Sequence, residues 1–338
     1  MLRLTIAFAS VLLAAPVAAL ARGETSVFYY PWYGTPKRDG GYLHWNQGGH
    51  VPPADLASSY YPTRGPYSSS DQTVLRAQMH EIAQAGVSEV ISSWWGWGSP
   101  EDLRLPSVVR VARAQGIRVA VQIEPYANRT ASTVDADIGH LRGLGVGRFY
   151  VYHPWDVPPT EWAPLLGELR GVEVFAQTAT IAWAAAAQFN GVYTYDLLEH
   201  RAASFAALCA KAHTAGLTCA PSVGPGYDAL RATGDPRILP RRRGKTYDAM
   251  WQAALEAGAD RVTVTSYNEW HEGTQIEPAA WKRGRGLASS PVARAYVSYD
   301  GAYGLRGRES EPAYLARTAY WTNAYRLAAE GGQALRSF

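Results

Sequence analysis

Short apolar runs and longer amphipathic stretches alternate along this chain from end to end. Eight runs, at 26–30, 89–93, 118–123, 149–152, 172–176, 191–195, 217–223 and 261–266, have the length and the β-branched or aromatic character of buried strands. Between them, segments such as 71–85, 101–115, 201–215 and 246–257 repeat apolar residues at helical spacing, and a last helix falls within 311–330. Gly86, Gly116, Gly216 and Gly258 stand just ahead of strands, where a helix stops on a left-handed residue. Eight βα units predict an α/β protein, a (β/α)8 TIM barrel in a single domain. The alternative is an open doubly wound sheet, which would want a glycine-rich phosphate loop after an early strand, and the sequence has none.

Two long non-periodic stretches interrupt the alternation, 33–70 after the first strand and 277–309 after the eighth. Loops of this length in a compact domain are usually functional. First and eighth strands are neighbours in a closed barrel, so these loops are predicted to meet over one side of its C-terminal mouth.

The N-terminus stands outside this pattern. Arg3 precedes an apolar run from Leu4 to Ala18, and Ala19-Leu20-Ala21 has the small-x-small form of a cleavage site. Residues 1–21 are therefore expected to be a signal peptide, with an uncleaved anchor as the alternative, and residues 22–338 the catalytic domain of a secreted or periplasmic protein. No other stretch nears the roughly 18 apolar residues of a spanning helix. A net charge of +3 gives no polyanion signal, and Arg241-Arg242-Arg243 with Lys245 reads as a solvated loop rather than a nucleic-acid patch. The two cysteines, Cys209 and Cys219, fall on a predicted helix and the next strand; their pairing is left open. The sequence holds 12 Trp and 21 Tyr against seven Phe. That bias favours rings that are buried on one side and meet a polar ligand on the other.

Barrel enzymes carry their chemistry at the C-terminal ends of strands. Those ends hold Tyr30, Trp32, Tyr33 and His44; Trp95 and Trp97; Glu124 and Tyr126; Tyr152 and His153; Tyr193, Tyr195 and Asp196; and Tyr227. The eighth strand runs into Ser266-Tyr267-Asn268-Glu269-Trp270-His271-Glu272, with Glu277 close behind. Carboxylates beside an indole suit sugar chemistry: the ring packs on the pyranose while the acids move protons. Glu269 and Glu272 would face opposite ways in a strand, but in a turn positions i and i+3 approach one another. One can then hold a proton while the other stays ionised. No His-x-His or His-Glu-x-x-His spacing suggests a metal, and no Gly-x-Ser-x-Gly elbow suggests a serine nucleophile.

The series FYYPWYG at 28–34, DGGYLHWN at 39–46, PYSSSD at 66–71, QIEPYANR at 122–129, PSVGPGY at 221–227 and SYNEWHEGTQIEPA at 266–279 resembles glycoside hydrolase family 99, the endo-α-1,2-mannosidases and mannanases. The resemblance implies a barrel, retaining cleavage of internal α-mannosidic bonds in mannan or a mannose-containing oligosaccharide, and no metal or other cofactor. It implies that Glu269 deprotonates the substrate 2-hydroxyl and that Glu272 protonates the departing oxygen, through a 1,2-anhydro sugar. Glu124 matches a substrate-binding carboxylate and Tyr193 an active-site tyrosine. Trp95 stands where bacterial members carry Trp, which favours mannan. Arg231 is the nearest candidate for a substrate-binding arginine, the stretch after Tyr227 being shorter than in animal members. Tyr30, Tyr33, His44, Tyr126, Tyr227, Asn268 and Trp270 complete the expected binding surface. A barrel that binds carbohydrate without cleaving it, or an endo-hydrolase of another α-linked polysaccharide, are the alternatives.

Overall fold

The computed structural model describes residues 23–281 and 296–336. The expected signal peptide, and residues 282–295 of the second long loop, lie outside the described residues. Eight parallel strand positions form the barrel: β1 (Glu24–Tyr29), β2 (Glu89–Trp94), β3 (Arg118–Ile123), β4 (Arg148–Val151), β5 (Glu173–Gln177), β6 (Gly191–Tyr193), the pair β7 (Thr218–Ala220) and β8 (Ser222–Val223), and, after a small hairpin of β9 (Tyr227–Asp228) and β10 (Ile238–Leu239), β11 (Arg261–Val264). Helices Gln72–Gln84, Pro100–Ala114, Ala202–Thr214 and Lys245–Glu256 fall one residue inside or ahead of the predicted segments, and the last helix is Ala313–Arg336. The four glycines expected to stop helices all take positive φ, between 63° and 75°.

The seventh strand is where the sequence pattern and the structure differ. The run 217–223 is broken at Pro221, which has no N–H to give to a ladder. β7 pairs with β6, and β8 pairs with β11, so the two halves face different neighbours. Side chains bridge the seam between them. Tyr195 N–H donates to Ser222 Oγ (2.8 Å), Ser222 N–H donates to Thr194 Oγ1 (2.9 Å), and Ser222 Oγ meets Thr263 Oγ1 at 2.7 Å.

Period-two alternation sorts the barrel strands. In β1, Val27 and Tyr29 pack outward against the helices, while Phe28, followed by Tyr30, faces the axis with Ile91, Ala120, Tyr150, Phe175, Tyr193 and Ala220. Below this aromatic layer, Arg118, Arg148 and Arg261 pair with Glu24, Glu89 and Glu173. Buried charges of this kind persist because each has a partner. Cys209 is disulfide-bonded to Cys219, which pins helix Ala202–Thr214 to β7.

The two long loops meet as expected. Tyr60 pairs with Val297 and Pro62 with Ala279, and Ala280 N–H donates to the Tyr61 carbonyl at 2.8 Å. Arg241 is not solvated. It is buried among the rings of Tyr60, Tyr299 and Tyr314, 4.5–4.7 Å from each centroid, and its guanidinium donates to the carbonyls of Gly273 (2.8 Å) and Gln275 (2.7 Å). Charge runs read as surface when nothing in the sequence shows the aromatic box that accepts them.

Candidate active site

Beyond β11 the chain closes into a turn. Tyr267 N–H still donates to the Phe28 carbonyl (2.8 Å), after which the segment doubles back, with Ser266 N–H bonding Thr274 O at 3.0 Å and Ile276 N–H bonding Ser266 O at 2.9 Å. Ser266 Oγ accepts the Glu269 N–H at 2.8 Å. Gly273 has φ 63°, and a Cβ there would lie 2.8 Å from the Asp228 carbonyl oxygen, so only glycine lets the turn dock on β9. In a turn rather than a strand, Glu269 and Glu272 no longer point to opposite faces.

Glu277 anchors this turn. Its buried carboxylate accepts from Gln78 Nε2 (2.9 Å), Tyr67 OH (2.8 Å), Trp270 Nε1 (2.9 Å) and Arg64 Nη1 (3.2 Å). With its acceptor sites taken, Glu277 is an architectural acid. Asn268 is architectural too: its amide exchanges hydrogen bonds with the backbone of Tyr30, 2.8 Å to the N–H and 3.0 Å to the carbonyl, as a neighbouring strand would. That pairing locks the start of the turn to the end of β1.

Three carboxyls converge. The Tyr30 phenol is pushed up by burial and by the charges of Glu124, Glu269 and Glu272 together. Tyr30 and Tyr195 join hydroxyl to hydroxyl, and Tyr195 OH donates to Glu272 Oε2 at 3.2 Å. Glu272 keeps part of its surface open to the cleft; burial of its carboxyl pushes it up to about 7, the Tyr195 hydroxyl opposing and Asp196 and Asp235 adding. Glu269 is raised well above the carboxylate range, by burial first and by Glu272 second. The charge of Glu272 disfavours a second charge on Glu269, so a proton on one favours ionisation of the other. Glu124 is pushed up to about 7 by burial, against hydrogen bonds from Ser93 Oγ (2.7 Å) and Gln122 Nε2 (3.0 Å). Gln122 Oε1 and the Tyr193 hydroxyl, both buried and without a hydrogen-bond partner among the described residues, flank it.

His271 completes the acid–base set. Its Nε2 lies 2.8 Å from the His44 carbonyl, which can only accept, so that nitrogen carries the proton. Burial holds the imidazole down to about 4, so at neutral pH it is uncharged. Its bare Nδ1 then faces Glu269 Oε1 at 3.5 Å, while its backbone N–H donates to the same oxygen at 2.9 Å. The rings of His44 and Trp32 stack beside it, 4.5 Å apart.

Several expected binding residues are not at the cleft surface. Trp270, Tyr33 and Asn268 are wholly buried. Trp270 gives its indole N–H to Glu277, and Tyr33 OH bridges Asn268 O and Trp270 N–H at 3.1 Å each, so neither presents a face to a sugar. Tyr126 turns outward and bonds Asp137. The Arg231 guanidinium binds Asp55 and lies over the Tyr296 ring, which ties the first loop to the segment after β9. Tyr227 does border the site: Glu272 acts on its phenol, and its hydroxyl bonds Asp235 at 3.0 Å. His44 reaches it through Trp32 and His271. Trp95 stands exposed on the rim.

Tyr193 points into the aromatic layer near Glu124, whereas Tyr195, two residues on and one layer nearer the mouth, is the phenol that meets Glu272. The shared inward phase of the two tyrosines was readable from period two; which one clears the end of β6 was not. Arg129 is a residue the sequence did not single out. Buried behind Glu124, it donates to the carbonyls of Tyr152 and His153 at 2.6 Å each and so fixes the ends of β3 and β4.

The glycosyl hydrolase family 99 profile matches residues 22–327. The chain belongs to that family. A structure of the family 99 endo-α-mannosidase from Bacteroides thetaiotaomicron superposes with a TM-score of 0.80 at 29% identity, covering 91% of this chain and 99% of that one. The glycoprotein endo-alpha-1,2-mannosidase-like protein of Danio rerio is 33% identical over 82% of this chain and 74% of its own length. The glycoprotein endo-alpha-1,2-mannosidase of Mus musculus is 30% identical over 76% and 68%. This family 99 member is therefore a glycoside hydrolase with the (β/α)8 fold expected from its strand pattern.

Proposed function

We propose that this family 99 protein is an exported, retaining endo-α-1,2-mannosidase acting on mannan-type chains. The observation that carries the reading is the pair Glu269 and Glu272, brought onto one turn, with Glu272 bonded to the Tyr30–Tyr195 hydroxyl pair and the charges of Glu269 and Glu124 also acting on the Tyr30 phenol. Burial raises both carboxyls, so Glu272 can hold a proton near neutral pH, and Glu269, when ionised, is a stronger base than an ordinary carboxylate.

In an α-mannoside, O2 and the departing oxygen are trans-diaxial. Glu269 takes the O2 proton, O2 attacks C1 from the rear, the C1–O bond to the leaving sugar breaks, and Glu272 delivers its proton to that oxygen. Glu272, now ionised, takes a proton from water. The water oxygen attacks C1, the C1–O2 bond of the anhydro sugar opens, and Glu269 returns its proton to O2. Two inversions give retention, and both acids end as they began. The exposed Trp95 supports a mannan chain as substrate, and the disulfide supports an oxidising destination consistent with the N-terminal leader.

The test is digestion of α-1,2-branched yeast mannan by purified protein, with the anomer of the first products followed by NMR. Oligosaccharides released first in the α configuration are expected. β-configured products would refute retention, binding without release would make the protein a carbohydrate-binding barrel, and cleavage of a different α-linked polysaccharide only would reassign the substrate.

A further inference from the structure

A second aromatic surface lies outside the acid–base cleft. Trp94-Trp95-Gly96-Trp97-Gly98 leaves β2 as a short loop, and Asp102 of helix Pro100–Ala114 holds it from below. The Asp102 carboxylate accepts from Trp94 Nε1, Gly98 N–H and His140 Nε2, all at 2.9 Å. The His140 ring packs on the Trp97 indole with centroids 4.5 Å apart. Trp97 is thus backed by His140 and set in a loop that Asp102 anchors at Gly98, yet 62% of it is exposed, and Trp95 beside it is 40% exposed. With Tyr126, Thr133 and Asp137 these rings line a groove of about 540 Å³ that contains none of Glu124, Glu269 or Glu272.

Large rings held rigid and left bare are what a sugar face stacks on, because immobilising them on binding costs little. The one carboxyl in the groove, Asp137, already takes the Tyr126 hydroxyl and is raised by burial, so the groove suits a neutral ligand. Its loop also leaves β2, the strand that anchors Glu124: the Trp94 carbonyl accepts the Glu124 N–H at 3.0 Å, and Ser93 bonds the Glu124 carboxyl. An enzyme that cuts within a chain must hold sugars well away from the broken bond.

We propose that Trp97, together with the groove beneath it, is an outlying binding site for a mannosyl unit of the polymer, remote from the bond being cleaved. This rests on the mannan reading above. It gives the protein a preference for long chains over short ones.

The test compares wild type with Trp97→Ala on yeast mannan and on an α-mannobiosyl fluoride too short to reach the groove. Expected is an increase in KM on mannan of about five- to tenfold with kcat held, the size of one lost stacking contact, and unchanged kinetics on the fluoride. Equal losses on both substrates, or no change on either, would overturn the proposal. If wild type releases nothing from mannan, the functional reading fails, and affinity electrophoresis in mannan gels still decides this site. Glu272→Gln protein should then be retarded more than Glu272→Gln/Trp97→Ala, and equal mobility, or no retardation of either, would refute it. Trp97→Phe should retain most of the binding.

Discussion

Proton affinity at this site is set residue by residue, by burial and by which lone pairs face which acid. Glu272 must be protonated to act, so activity should fall as pH rises through about 7. Replacing Glu272 by Gln should cost about 100- to 10,000-fold on unactivated mannan and far less on a glycosyl fluoride, whose departure needs little help from an acid. The alkaline limb should vanish from the residual fluoride activity. Equal losses on the two substrates would remove Glu272 from the donor role. His271 acts through Glu269. Its Nδ1 lone pair beside Glu269 Oε1 favours the protonated carboxyl and makes Glu269 the stronger base. His271→Phe should therefore move the acidic limb of kcat/KM to lower pH and lower the plateau. An unmoved limb, in protein with wild-type thermal stability, would leave His271 a packing residue.

At the scale of elements, the site depends on a turn that is tied down at many points. Asn268 pairs with the end of β1, Glu277 gathers four donors, Arg241 takes two turn carbonyls from within its tyrosine box, and Gly273 admits the backbone of β9. The carboxylates are held in place by residues that need not touch substrate. The Cys209–Cys219 bond serves a different element, helix Ala202–Thr214, far along the chain from that turn. Its half-cystines are ten positions apart, and closing so short a loop stabilises by about 2–3 kcal/mol in the chain-entropy picture. Cys209→Ser/Cys219→Ser should lower the urea midpoint accordingly while kcat is retained. An unchanged midpoint would show that helix packing alone supplies that stability.

For the molecule as a whole, the barrel closes through a strand that changes partner. Pro221 ends the pairing of β7 with β6 and lets β8 run beside β11, with Ser222, Thr194 and Thr263 spanning the gap. The seam lies directly behind Tyr195, whose N–H is bonded to Ser222 and whose hydroxyl reaches Glu272. Closure and chemistry thus share residues. The two long loops leave the neighbouring strands β1 and β11, the latter paired with β8 of the seam, and are joined to one another by the Tyr60–Val297 and Pro62–Ala279 bridges.

The alternation of strand and helix, the count of strands, the glycine helix stops and the acidic turn after the last strand were all fixed by local sequence, because burial on both faces and left-handed caps impose patterns that need no knowledge of the partner. The sequence placed Glu124, Glu269 and Glu272 at one rim for the same reason. Which neighbours of those acids turn inward was decided only in three dimensions. Trp270 and Tyr33 sink into the core to serve Glu277 and Asn268, Tyr195 rather than Tyr193 clears the end of β6, Arg231 is taken by Asp55, and Arg241 finds an aromatic box built from three distant segments. An aromatic ring or a guanidinium carries the same local signal whether it meets solvent, substrate or core. Only the groups that the closed barrel sets against it distinguish these fates.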